Sequence, residues 1–277
     1  MLDVPVSHSG AGLGEANRRR LAALNRALPG PFDANDAAKV LGIDRSEAAK
    51  AIGYLASKGW LSRVRRGLFT VVPLEADAPM HWRADPWLVA ARIFDPCYIG
   101  GWSACEHWSL TEQLFRSVVV VTAHPQRSSR STVQGTDFVT AVRGSDLLFG
   151  TNSVWRERTR VAVSDPSRTI IDILDDPAIG GGIRHVSDVL AEYVESPHRD
   201  DDLLISYGDR LGNRTAFKRL GLLLEAMDFE VPEMLDACLA RRSAGVSKLD
   251  PTITAGGRIS SRWGLRVNAS ISRGDPS

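Results

Sequence analysis

The chain reads as an α+β protein, with an N-terminal winged helix-turn-helix followed by a larger mixed α/β C-terminal domain. Three observations carry this reading. Three short helical patterns, each with its own start and stop residues, fill residues 15–59. Two alternating runs around Arg65-Arg66-Gly67 then read as a β-hairpin. Beyond a proline-bearing stretch, strand-like and helix-like patterns follow one another to the end. The implied domains are 1–75 and 87–277, joined by a linker at 76–86.

The first helix is expected from Glu15 to Leu28, with Leu21, Leu24 and Leu28 on one face and Pro29-Gly30 as its stop. Asp33 caps a second, whose apolar face is Ala37, Val40 and Leu41 and whose end is Gly42. Asp44 caps a third, with Glu47 at the spacing of a capping box and Gly59 at its end. That third helix buries Ala48, Ile52 and Leu55, which leaves Arg45, Ser46, Ala49, Lys50 and Gly53 facing outward. Trp60 to Val64 and Leu68 to Val72 are the two hairpin strands.

Pro73 to Pro86, with three prolines and several acidic residues, has linker composition. After it, Cys97-Tyr98-Ile99, Val118–Thr122, Asp137–Val142 and Thr159–Val163 are expected strands. Helices are expected at Trp102–Leu110, Pro166–Leu174, Arg184–Val194, Thr215–Met227 and Pro232–Arg242, so helices dominate after residue 165. Pro166 suits the first helical position. The tail from Ala269 is expected to fray.

Composition narrows the function classes. The formal charge of +1 conceals an asymmetry: residues 1–70 hold eleven Arg/Lys against six Asp/Glu, and the remainder holds 23 against 27. A basic N-terminal module on a mildly acidic body fits a nucleic-acid-binding domain attached to something else. No apolar run approaches the roughly 18 residues of a membrane helix, and Met1 to Gly12 lacks a signal-peptide pattern. A cytoplasmic protein without membrane contact is expected. Cys97, Cys105 and Cys238 are odd in number and scattered. They form neither a disulfide framework nor a zinc pattern and read as small buried hydrophobes.

The candidate site is the outward face of the third helix together with the hairpin. In a winged helix-turn-helix that helix enters the major groove with its N-terminal residues near base edges. Arg45 has the fork that matches guanine O6 and N7; Ser46 and Lys50 share its face. Ala49 and Gly53 are small enough for close backbone approach. Arg63, Arg65 and Arg66 line the hairpin, where a charged tip reaches phosphates or the minor groove. A bare solvated face, or a winged helix used for protein binding, is the competing account of these residues. Arg18-Arg19-Arg20 opens the first helix and serves phosphate contact or solubility equally well.

Enzyme readings find little support. None of the five lysines has Asp or Glu two positions before it, so the (D/E)-x-K arrangement of metal-dependent nucleases is missing. Asp165, Asp172, Asp175 and Asp176 read as helix-terminus residues. Gly144-Ser145 is not followed by the Asp-x-Asp of a nucleotidyltransferase. Gly180-Gly181-Gly182 follows a helix end rather than a strand, so it reads as a tight connection and not a phosphate loop. Cys105 and His107, two apart on a helix, do not face each other. No catalytic residue, metal or cofactor is expected. Trp82, Trp87, Trp102, Trp108 and Trp155 read as core anchors. Arg214 and Lys218 share one face of a helix that also carries Arg219, either as a contact for an acidic partner or DNA, or as a solvated face.

A family resemblance rests on longer blocks. Arg66-Gly67-Leu68-Phe69, the run Tyr98-Ile99-Gly100-Gly101-Trp102-Ser103-Ala104-Cys105-Glu106-His107-Trp108 and Ser164-Asp165-Pro166-Ser167-Arg168-Thr169 resemble the AbiEi antitoxins of type IV toxin–antitoxin systems. So do Gly212-Asn213-Arg214-Thr215-Ala216-Phe217-Lys218-Arg219, Ser247-Lys248-Leu249-Asp250-Pro251 and Ser261-Arg262-Trp263-Gly264-Leu265, the similarity extending over about residues 15–268. The resemblance implies an autorepressor binding inverted repeats in its own operator, and an opponent of a nucleotidyltransferase-like toxin. The alternatives are a ligand-sensing winged-helix regulator or, with less support, a DNA-targeted nuclease.

Overall fold

The computed structural model describes residues 13–73, 76, 82–254 and 256–271. Met1–Gly12, residues 77–81 of the expected linker and the last six residues of the tail lie outside these. The chain forms two compact units. The first comprises residues 1–93 with the short runs Val133–Gly135 and Trp155–Arg160; the second comprises the rest.

In the first unit α1 (Glu15–Ala27), α2 (Ala34–Leu41) and α3 (Arg45–Ser57) precede the antiparallel pair β1 (Leu61–Arg65) and β2 (Leu68–Val71). The helix boundaries follow from capping. Asp33 accepts from the N–H groups of Asn35 and Asp36, while Asp36 accepts from the Asp33 N–H, so the full reciprocal box sits on α2. Gly42 closes α2 in the left-handed conformation. Asp44 accepts from the Glu47 N–H. The expected return bond from Glu47 is absent, because its carboxylate faces Arg20 at 2.8 Å. Leu24, Phe32, Ala37, Ala48, Ile52, Leu55, Leu61 and Phe69 make the core. Phe32 and Phe69 exchange two backbone hydrogen bonds of 2.8 and 2.9 Å, which tie the hairpin to the turn before α2.

A further helix, α4 (Pro86–Ile93), completes this unit. Its start was expected to be linker. Pro86 there occupies the position where a missing N–H costs nothing, and Trp87 to Ala90 are buried.

The second unit is built on a six-stranded sheet of order β5-β6-β4-β3-β8-β7. Its strands are β3 (Cys97–Ile99), β4 (Ser117–Thr122), β5 (Arg130–Val133), β6 (Thr136–Val142), β7 (Thr151–Arg156) and β8 (Thr159–Ser164). β3 runs antiparallel to β4 and parallel to β8, and β4 runs parallel to β6. The helices are α5 (Gly101–His107), α6 (Pro166–Asp175), α7 (Ile183–Glu195), α8 (Asp201–Leu211), α9 (Thr215–Ala226) and α10 (Pro232–Arg241). A small sheet of β9 (Ser247–Lys248), β10 (Arg258–Ser260) and β11 (Leu265–Val267) ends the chain, in order β10-β11-β9. The main core gathers side chains from α5 to α10 and from the small sheet, with Trp263 fully buried. Among the described residues no helix is long and apolar enough to cross a membrane.

Four expectations are corrected here. Trp155 is 61% exposed rather than a core anchor, because β7 is an edge strand with a mostly solvent-facing pattern; Arg160 covers its ring at 4.8 Å. Asp172 is not a terminus residue. It lies inside α6, fully buried, accepting from Arg168 at 3.0 Å and from the Tyr98 hydroxyl at 2.8 Å. Lys218 and Arg219 form no surface patch, since every residue of α9 from Ala216 to Leu224 is buried. Lys218 donates to the carbonyls of Gly245 and Gly264, and Arg219 to those of Leu174, Asp175, Lys248 and Leu249. Arg214 alone of the three is exposed. Lastly, Ala269 and Ile271 pack on the core and Ser270 accepts from Arg184 at 2.8 Å, so the tail is held to that point.

Candidate nucleic-acid interface

The six residues expected to meet DNA all lie in the first unit, on α3 and the β1–β2 hairpin. Asp44 ends the chain's extended entry and starts α3, so Arg45 is the first helical residue and Ser46 the second. Burial of Ala48, Ala51, Ile52 and Leu55 fixes the rotation of the helix. Arg45, Ser46, Ala49, Lys50 and Gly53 are therefore exposed together, as the period requires. Tyr54 extends this face and is 41% exposed, with the Lys58 ammonium 5.9 Å from its ring centre. The spacing Ser46, Lys50, Tyr54 follows the i, i+4 rule and was the signal available for it.

The hairpin presents Arg63, Arg65 and Arg66 to solvent. Gly67, at φ +78°, makes the tight turn between the strands. Arg63 lies opposite Phe69 with its guanidinium carbon 5.5 Å from the ring centre, while the residue as a whole stays exposed. The register slips between Arg63 and Arg65, an irregularity that turns the tip. Gln134 supports β1 by donating to the Ser62 hydroxyl at 3.0 Å and the Arg63 carbonyl at 3.2 Å. No local pattern in the sequence pointed to that contact, which spans more than seventy residues.

The charges around this face are sorted. Among the described residues, Arg45, Lys50, Arg65 and Arg66 carry no ion pair, whereas Arg20 is taken by Glu47 and Arg19 by Glu15. Pairing Glu47 removes the one carboxylate in the first turn of α3 that would oppose a polyanion. Arg18 is exposed and unpaired among the described residues. At the start of α2, Arg92 of α4 bridges Asp33 at 3.1 Å and Asp36 at 2.6 Å. Burial pushes the Asp33 carboxyl up, but the Asp36 and Asn35 N–H groups, with Arg92 and Arg45 nearby, outweigh it and hold the group below its ordinary value. No group of three or more His, Cys, Asp or Glu arranged to hold a metal occurs among the described residues.

Residues 19–72 match the family model described as transcriptional regulator, AbiEi antitoxin. The match contains all six candidate residues and ends with the hairpin; the blocks beyond it that carry the resemblance lie outside it. It supports a DNA-binding antitoxin regulator in the broad sense. No curated protein matches the chain.

Proposed function

We propose that this chain is a winged helix-turn-helix autorepressor and antitoxin, which binds inverted repeats in its own operator and opposes a nucleotidyltransferase-like toxin. The observation that carries the reading is the coincidence of two independent facts. The family match covers residues 19–72, and within it Arg45, Lys50, Arg63, Arg65 and Arg66, all exposed and without an ion pair among the described residues, share one face of α3 and the hairpin, while Arg26 of α1 and Lys39 of α2 are exposed elsewhere. The domain division proposed with it assigns DNA contact to residues 1–75 and toxin opposition to residues 87–277.

In this reading α3 lies in the major groove. Arg45 forks onto a guanine, a contact worth about 1–3 kcal/mol of discrimination when bidentate. Ser46 and Lys50 contact the adjoining backbone or base edges, and small Ala49 and Gly53 let the helix approach. Arg63, Arg65 and Arg66 neutralise phosphates beside it and release counterions, which makes affinity fall with salt. Glu47 is paired with Arg20, and Asp33 and Asp36 share Arg92, which lowers the negative charge facing the approach.

The test is fluorescence-anisotropy titration of the DNA immediately upstream of the reading frame against a shuffled duplex, over a series of salt concentrations. The upstream duplex is expected to bind more tightly by at least ~10³-fold, with a steep negative salt slope. Arg65→Ala with Arg66→Ala is expected to lower the slope by about 2, at roughly 0.9 per phosphate lost. Equal binding to both duplexes sinks the repressor reading. An unchanged slope removes the hairpin from the phosphates.

A further inference from the structure

The helix whose first residue sequence composition assigned to a linker packs against the start of the chain's helical region. α4 brings Leu88, Ala91 and Arg92 against the α1–α2 turn, where they line a shallow apolar cleft with Leu28, Pro29 and Phe32. The same packing sets the Arg92 guanidinium over the start of α2, one nitrogen shared between Asp33 at 3.1 Å and Asp36 at 2.6 Å.

That position matters because of what α2 does there. In a helix-turn-helix the first of the two helices crosses the DNA backbone, and an open helix N-terminus favours phosphate. Here the terminal N–H groups are already taken by Asp33, and Asp36 reaches back to the Asp33 N–H. The end of α2 therefore carries two carboxylates where a polyanion would pass. Arg45, the first residue of the next helix, is the smallest of the influences that hold the Asp33 carboxyl down, behind the two N–H groups and Arg92. Without another cation, these carboxylates would repel DNA and draw Arg45 toward themselves.

We infer that Arg92 is a positioning residue for DNA recognition: it occupies the Asp33 and Asp36 carboxylates and thereby leaves Arg45 free to reach a base. The inference rests on the repressor reading above. It extends the functional reading head past the matched segment, to α4.

The experiment compares affinities for the upstream duplex and a shuffled duplex in wild type, Arg92→Ala, and Arg92→Ala combined with Asp33→Asn. Asparagine keeps a side-chain oxygen for the α2 cap while removing the charge. Arg92→Ala is expected to lower the ratio of the two affinities about tenfold, the scale of one lost bidentate base contact. Adding Asp33→Asn is expected to restore most of it. Arg92→Gln, which keeps the stem and a donor, is measured in parallel with the same expectation, in case the alanine variant does not melt cooperatively. A ratio unchanged in both Arg92 variants overturns the inference. So does a loss that falls equally on both duplexes, or one that Asp33→Asn fails to restore, since a structural role alone would produce either. If wild type itself does not prefer the upstream duplex, the repressor reading falls first, and this inference falls with it.

Discussion

Two sets of cations, one in each unit, sit in opposite surroundings. In the first unit Arg45, Lys50, Arg65 and Arg66 are exposed and unpaired among the described residues. In the second, Arg168, Lys218 and Arg219 are buried and committed to Asp172, Tyr98 and backbone carbonyls. A count of charges does not distinguish them. For those on helices, what does is the helix they sit on: α3 is buried on one side only, whereas α6 and α9 are buried nearly all round. Cations on the first kind of helix are available to a partner; on the second they hold the fold.

The sharpest way to break this contrast is to remove one cation from each side. Arg168→Ala leaves the Asp172 carboxylate buried without its ion pair, and is expected to cost about 3–5 kcal/mol in chemical denaturation. Arg45→Ala is expected to change stability by less than about 0.5 kcal/mol, as exposed sites do, while relaxing preference among DNA sequences. Equal stability losses in the two variants would erase the distinction.

A smaller effect sharpens the same point through pH. Burial, and then the neighbouring Arg242, hold the Lys218 ammonium below its ordinary value of 10.5. Between the lowered folded value and 10.5 the folded chain binds fewer protons than the unfolded one, so its stability rises with pH across that window. Below the folded value the penalty is present in full. Lys218→Met removes the titration, so wild type is expected to gain on the variant as pH climbs through the alkaline window. Parallel stability curves for the two would mean that Lys218 carries no such strain.

Much of the first unit was legible because its boundaries are written locally. Asp33, Gly42, Asp44 and Gly67 each satisfy or bend the backbone at their own position, and the helices and hairpin follow. The capping box was the exception: it formed on Asp33 and Asp36, since Glu47 had a cationic competitor in Arg20, distant in sequence. α4 was not marked as a helix and its first residue was placed at the end of the linker, although Pro86 at a helix start is no breaker. β5 and β7 escaped notice as edge strands, whose polar residues face solvent and blur alternation. α8 escaped because only Leu204 and Gly208 of it are buried, too few to print a period. In the candidate site, the exposed face of α3 was readable from its buried stripe. The Arg92 bridge and the Gln134 support were not, because both come from distant segments.

The most direct test of the central claim uses the protein's own lysines as reporters. Lys50 lies on the exposed face of α3, whereas Lys218 is fully buried in α9. Modification by an amine-reactive reagent, read residue by residue by mass spectrometry, is compared with and without the upstream duplex. The account predicts that Lys50 is modified in the free protein and strongly protected by DNA, while Lys218 stays unmodified in both. Equal modification of Lys50 with and without saturating DNA would contradict the account, since α3 would then not be in the groove.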